Sequence, residues 1–134
     1  MFKFENVDDL KKLEKEAAFP DRLHEKTIYK SLKRVAKNFP SRPAISFQIT
    51  SKPGSKSETY TWSELHEIVV KAANAFRKVG IKKDDVIAFV LPNCSETAIT
   101  FLAGAITGIV NPINALLEPK QISHILRETN AKAI

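Results

Sequence analysis

Few residues in this chain have both the type and the spacing that chemistry requires. The single cysteine, Cys94, follows Pro92-Asn93 and precedes a predicted helix. A helix N-terminus can lower a thiol's pKa, but a small side chain at a strand–helix junction is the expected role. No histidine stands near it in sequence. His24, His66 and His124 are spread along the chain, so neither a Cys/His nucleophile nor zinc-ligand spacing can be argued. His66 falls between Leu65 and Glu67, off the apolar stripe of its helix, and is expected at the surface, as is His124 beside Ile125. Asp84-Asp85 looks like a carboxylate pair, yet neighbours on a loop point apart, and a solvated turn is expected. The four glycines, Gly54, Gly80, Gly104 and Gly108, make neither GxGxxG nor GxxxxGK, so neither phosphate-cradling loop is present.

The residues that remain describe a framework. The chain has 134 residues, 43% apolar and 27% charged, an ordinary globular composition rather than a disordered one. One cysteine excludes an intramolecular disulfide and suits a reducing compartment. The N-terminus turns polar and acidic at once, with no apolar stretch of a signal peptide, so a cytoplasmic location is expected. The net charge of +6 is dispersed: +3 over residues 1–40, +3 over 41–85 and zero over 86–134. The densest basic group, Lys30, Lys33, Arg34 and Lys37, reads as the solvated face of an amphipathic helix. A nucleic-acid footprint would be a cluster or stripe with exposed aromatics, and none is expected here.

The elements follow from periodicity. Residues 8–18 form a weak helix with Asp8 as candidate cap and Leu10, Leu13 and Ala17 as its thin stripe; Phe19-Pro20-Asp21 breaks it. Thr27 caps a second helix whose face is Ile28, Leu32, Val35, Ala36 and Phe39, stopped by Pro40. Residues 44–50 and 58–61 read as strands joined by the polar turn 51–57, an antiparallel hairpin. Thr61-Trp62-Ser63-Glu64 is a capping box. The helix it opens, 63–79, buries Leu65, Ile68, Val69, Ala72, Ala73, Phe76 and Val79, and Gly80 takes the left-handed position after it. Trp62 is assigned to core packing. Residues 86–91 (VIAFVL) are a strand buried on both faces. Asn93 is a candidate cap for helix 95–107, which is apolar nearly all round and expected to be buried on most sides. Strand 109–113, a helix with Pro119 at its first position and stripe Ile122, Ile125 and Leu126, Asn130 as C′ residue, and strand 131–134 complete the chain.

Residues 98–110 deserve a membrane test, because Gly104-x-x-x-Gly108 pairs helices in lipid. Their length is about two-thirds of the ~20 residues that a span needs, and Asn111-Pro112 ends the run. A buried helix followed by a strand is the expected outcome. From Val86 onward the order is β-α-β-α-β, which points to right-handed crossovers and a parallel sheet. The last strand is cut four residues in, so this chain is expected to be the front of a longer protein, with Met1 its natural start.

The element order and four stretches resemble the N-terminal region of the AMP-forming adenylate-forming enzymes: acyl-CoA synthetases, luciferases and peptide-synthetase adenylation domains. Arg42-Pro43-Ala44-Ile45 is similar to the opening strand. Thr59-Tyr60-Thr61-Trp62-Ser63-Glu64-Leu65 resembles the Thr-Tyr-x-x-Leu helix start. Gly80-Ile81-Lys82-Lys83-Asp84-Asp85-Val86 with Leu91-Pro92-Asn93 resembles Gly-Val-x-x-Gly-Asp-x-Val…Leu-Pro-Asn. Residues 102–114 resemble Ala-x-x-x-Gly-x-x-x-x-Pro-x-Asn. Departures are mild: Asp84 for the usual Gly, Glu118 for a Ser or Thr cap, and a longer 51–57 loop.

The resemblance implies an α/β fold: a partial N-terminal subdomain of an adenylation domain, with a β-hairpin and a parallel β-α-β-α-β sheet flanked by helices. It divides the chain into an N-terminal helical segment, 1–41, and a truncated α/β part, 42–134, that stops before the ATP phosphate loop. The implied parent is a ligase, an acyl-CoA synthetase of fatty acid metabolism, that activates a carboxylic acid with ATP and Mg²⁺ to acyl-AMP and then acyl-CoA. No residue matches a catalytic, cofactor-binding or metal-binding motif of the family. The fragment alone is therefore expected to be inactive, to hold no ATP, Mg²⁺ or CoA, to pair with the remainder of its domain and to self-associate without it. The competing reading is a self-contained α/β binding or interaction module.

Overall fold

The computed structural model describes residues 6–17 and 19–134. The first five residues, and residue 18 at the end of the first predicted helix, lie outside it. The helices are α1 (Val7–Glu16), α2 (Phe19–Arg22), α3 (Ile28–Asn38), α4 (Trp62–Lys78), α5 (Ser95–Thr107) and α6 (Pro119–Glu128). The strands are β1 (Pro43–Gln48), β2 (Ser57–Thr61), β3 (Val86–Phe89), β4 (Ile109–Pro112) and β5 (Ala131–Ala133). The expected α/β arrangement of hairpin and parallel sheet is the one observed.

Local chemistry places most boundaries. Asn6, not Asp8, caps α1: its Oδ1 accepts from the backbone N–H of Asp8 (2.9 Å) and Asp9 (3.1 Å). Phe19-Pro20-Asp21, read as a break, instead lies in the single turn α2; proline is tolerated in a first turn because its missing N–H has no intrahelical partner there. Thr27 Oγ1 accepts from Lys30 N (3.2 Å) and starts α3. The capping box of α4 has both arms, Glu64 N to Thr61 Oγ1 (3.3 Å) and Thr61 N to Glu64 Oε2 (2.8 Å). Gly80 has φ +92 and Asn130 φ +49, the left-handed residues that follow α4 and α6. The cap of α5 is Cys94 rather than Asn93, and its side chain makes no capping bond.

β1 and β2 pair antiparallel with a register shift between Pro43 and Ile45. The second sheet is parallel with strand order β4-β3-β5, so the β4–α6–β5 crossover carries the chain past β3. Central β3 is buried along Ile87, Ala88 and Phe89, which explains its unbroken apolar run. The main core joins Leu32 of α3, Leu65, Val69 and Ala73 of α4 and Ala103 of α5, with Ile45, Tyr60, Trp62 and Phe76 packed against it. Residues at the ends of the predicted stripes fall outside it: Ile28, Phe39 and Val79 are exposed. They sit in the first turn or at the cap of their helices, where the neighbouring helix no longer covers them. Phe39 is covered on one side by the Arg42 guanidinium, 4.9 Å from its ring centroid.

Candidate functional site

β3 and β4 end side by side at Phe89 and Pro112, and Ile113 N–H closes the pair on the Phe89 carbonyl (2.9 Å). In open α/β sheets, ligands bind beyond the carboxyl ends of strands where the winding reverses. Here the chain leaves β3 for β4 and returns past it to β5, so the reversal lies between β3 and β5. A cleft of about 570 Å³ opens beside it, at the ends of β3 and β4 and against α5. Ile45 and Phe47 of the hairpin, Phe89 and Pro112 at the strand ends, and Ala98, Phe101 and Leu102 of α5 form its apolar walls, with Asn93, Cys94, Ser95 and Thr97 at the polar end. A neighbouring hollow of about 470 Å³ extends along Leu91-Pro92-Asn93 and Asn114-Ala115-Leu116.

One carboxylate ties the hairpin to the first turn of α5. Glu58 of β2 accepts from the buried hydroxyl of Ser95 and, at 2.8 Å, from the phenol of Tyr60. Glu58 and Tyr60 are two apart on one strand, so both face the same side. The Ser95 bond foremost, and then the Tyr60 bond, hold the Glu58 carboxyl below its ordinary value. The same bond, made to an anion, raises the Tyr60 phenol. Thr97 Oγ1 donates to the Pro92 carbonyl and lies 3.3 Å from Cys94 Sγ. The loop after β3 is thus fastened to α5, and Cys94 is engaged as a partly buried junction residue.

The residues singled out by type do not converge. His24 and His124 are exposed and far from the cleft in sequence. His66 is not a free surface residue: it is half-buried, its ring centroid 6.1 Å from that of Tyr29, with Nε2 enclosed and unbonded. Asp84 is exposed, whereas Asp85 is engaged. Asp85 Oδ2 accepts from Lys82 N–H (2.6 Å) and pairs with Lys132 Nζ of β5 (2.9 Å). These partners, Lys132 first, hold the Asp85 carboxyl low. Of the two adjacent carboxylates, Asp84 is exposed as expected of a solvated turn, and Asp85 is partly covered and tied to its partners. The Glu58–Ser95–Tyr60 group is the feature that spacing could not reveal, because Glu58 and Ser95 are brought together across α4 and β3. Among the described residues, no group of three His, Cys, Asp or Glu side chains could hold a metal ion. No helix among them is long and apolar enough to cross a membrane.

A parallel sheet with an apolar cleft at the carboxyl ends of β3 and β4, flanked by a hairpin and a helical layer, defines an α/β framework. The chain is 33% identical over 82 residues to 4-coumarate–CoA ligase 1 of Arabidopsis thaliana, covering 60% of this chain and 15% of that enzyme. It is 29% identical over 124 residues to marinolic acid–CoA ligase of Pseudoalteromonas, covering 92% of this chain and 19% of that one. The N-terminal subdomain of Klebsiella oxytoca NpsA, solved with anthranilyl-AMSN, has the same fold, with a TM-score of 0.71 at 22% identity over 87% of this chain and 28% of that one. Residues 32–134 match the family model of AMP-binding enzymes, and the chain belongs to that family. It spans less than a fifth of the length of these two ligases.

Proposed function

We propose that the chain forms the N-terminal part of a cytoplasmic ligase that activates a carboxylic acid, a fatty acid foremost, with ATP to acyl-AMP and then transfers it to CoA. The observation that carries this reading is the family match over residues 32–134, on a chain whose relatives include ligases that join 4-coumarate and marinolic acid to CoA. In this reading residues 42–134 are the α/β part, and residues 1–41 are a helical segment that leans on it through Leu32 and Ala36 of α3. The role of these residues is to shape: β3, β4 and α5 fix one wall of the larger enzyme, and the Glu58–Ser95 bond sets the hairpin against it. No residue of this chain matches a family motif for Mg²⁺, ATP or CoA, and this reading assigns all three to the rest of the ligase.

The test is ATP–pyrophosphate exchange by the 134-residue chain with a panel of fatty and aromatic acids. No exchange above a no-enzyme control is expected. Exchange would overturn the assignment of adenylation chemistry to other parts of the enzyme.

A further inference from the structure

A second hollow lies at the other end of the molecule. α5 runs back along the sheet, so its C-terminal end sits by the strand starts; Gly108, just after it, packs on the carbonyl of Asp85, just before β3. There α3, α4 and α5 leave a groove of about 580 Å³, within the usual range for small-molecule sites. Ile28, Val70, Ala105 and Ile106 supply apolar wall, and Arg77 is the one ionic side chain in its lining.

A guanidinium has five N–H donors in a flat fork. Arg77 commits two of its nitrogens: Nη1 donates to Asn74 Oδ1 (3.4 Å) and Nη2 to the Ile106 carbonyl (3.2 Å). These bonds fix the plane of the fork at the groove. The contact with Ile106 caps an orphan carbonyl at the end of α5, which explains that bond but neither the groove nor the remaining donors. Among the described residues, no carboxylate pairs with Arg77.

We propose that this groove binds a monocarboxylate with a short apolar tail, the carboxylate on the remaining Arg77 donors and the tail along Ile28, Val70 and Ile106. A planar carboxylate matches the fork as a bidentate acceptor. One guanidinium balances one negative charge. Arg77 is exposed at the mouth of the groove, so the preference for a carboxylate over a phosphate rests on the flat two-oxygen match to the fork and on the apolar wall that takes the tail. The groove is at the strand starts and the cleft at the strand ends, so failure of this proposal leaves the proposed function untouched.

The experiment is amide chemical-shift titration of the isotopically labelled chain with octanoate, octanol and octylammonium below their aggregation limits. Octanoate should shift Ile28, Ala105 and Ile106 and bind about tenfold or more tightly than octanol, with octylammonium weakest. Arg77→Gln should lower octanoate to the affinity of octanol. Arg77→Lys, which keeps the charge and loses the fork, should weaken octanoate several-fold, and it gives a second reading if the glutamine variant does not fold. Equal binding of octanoate and octanol by the unmodified chain would overturn the proposal. So would shifts gathered on Phe89, Ala98 and Phe101, or an unchanged affinity in Arg77→Lys.

Discussion

A methyl group placed on Gly104 would lie 2.3 Å from Cγ1 of Val110, so α5 and β4 meet where no side chain fits between them. The Gly104-x-x-x-Gly108 spacing that pairs helices in lipid here lets a helix lie against its own sheet. Val110 is β-branched and stiff, and it cannot turn aside cheaply. Gly104→Ala should therefore destabilise the chain by about 1–3 kcal/mol through overpacking. At Gly108 the added carbon would meet backbone, the Asp85 carbonyl at 2.5 Å and the Lys82 carbonyl at 2.9 Å. These neighbours are backbone atoms that no side-chain rotation can move aside, so the cost there should be at least as large. Urea titration measures both. A Gly104→Ala chain as stable as the parent would show that the helix can lift without loss.

The core face of α4 yields a graded series. Leu65 and Val69 are enclosed, at 1% and 0% exposure, while Phe76 is only half-buried. Leu65→Ala should cost roughly 2–5 kcal/mol. Phe76→Ala should cost less than the roughly 3–5 kcal/mol of an enclosed phenylalanine, because solvent already reaches the ring. Lys71 is exposed and pairs with Glu67, one turn earlier (2.6 Å). Lys71→Ala should change stability by no more than about 0.5 kcal/mol. If Lys71→Ala cost as much as Leu65→Ala in the same denaturant series, the buried face would be misassigned.

Acid should loosen the molecule at two known ties. Glu58 and Asp85 have carboxyls held below their ordinary values of 4.5 and 3.8 by Ser95 and Lys132 respectively. A lowered folded-state value means that the contribution is complete above the ordinary value. It is lost as pH falls through the folded value. Stability should thus hold steady at neutral pH and begin to fall near the ordinary carboxylate values and below. Ser95→Ala should move the Glu58 carboxyl resonance back toward its ordinary midpoint, stopping short because Tyr60 still donates. A Glu58 titration that Ser95→Ala leaves unmoved would remove the serine as the cause.

The elements were legible wherever one local rule decides. Thr61 and Glu64 close a capping box within four residues, and Gly80 and Asn130 take left-handed turns that local sterics prescribe. The unbroken apolar run at β3 required burial on both faces, and the central place of β3 supplies it. What sequence spacing could not show lies between elements. Asn6 competes with Asp8 for one cap, and both are good cap residues. His66 looked free because periodicity sees one helix, whereas Tyr29 reaches it from another. Asp85 looked solvated because its partner Lys132 is 47 residues away. Glu58 and Ser95, the pair that sets the wall of the cleft, are separated by 37 residues, a distance over which neither pattern nor spacing carries information.

The isolated chain should self-associate. β4 and β5 are the two edges of the parallel sheet, and among the described residues neither has an outer neighbour. Unpaired N–H and C=O groups along an edge are a template for another strand. Apolar side chains lie near these edges and on the cleft: Ile134 is 75% exposed, Ile109 50%, Phe101 43% and Leu116 90%. Soluble monomers seldom leave contiguous apolar patches beyond a few hundred Å² uncovered. A second copy that pairs an edge or covers Phe101 relieves both costs, and the charge of +6 opposes growth into larger aggregates. Light scattering over a dilution series should show a concentration-dependent dimer or small oligomer. Phe101→Lys or Ile109→Lys should shift it toward monomer while leaving the circular dichroism spectrum intact. A monomer at every concentration, with no binding of an apolar-surface dye, would mean that these side chains are satisfied within one chain and would favour a self-contained α/β module.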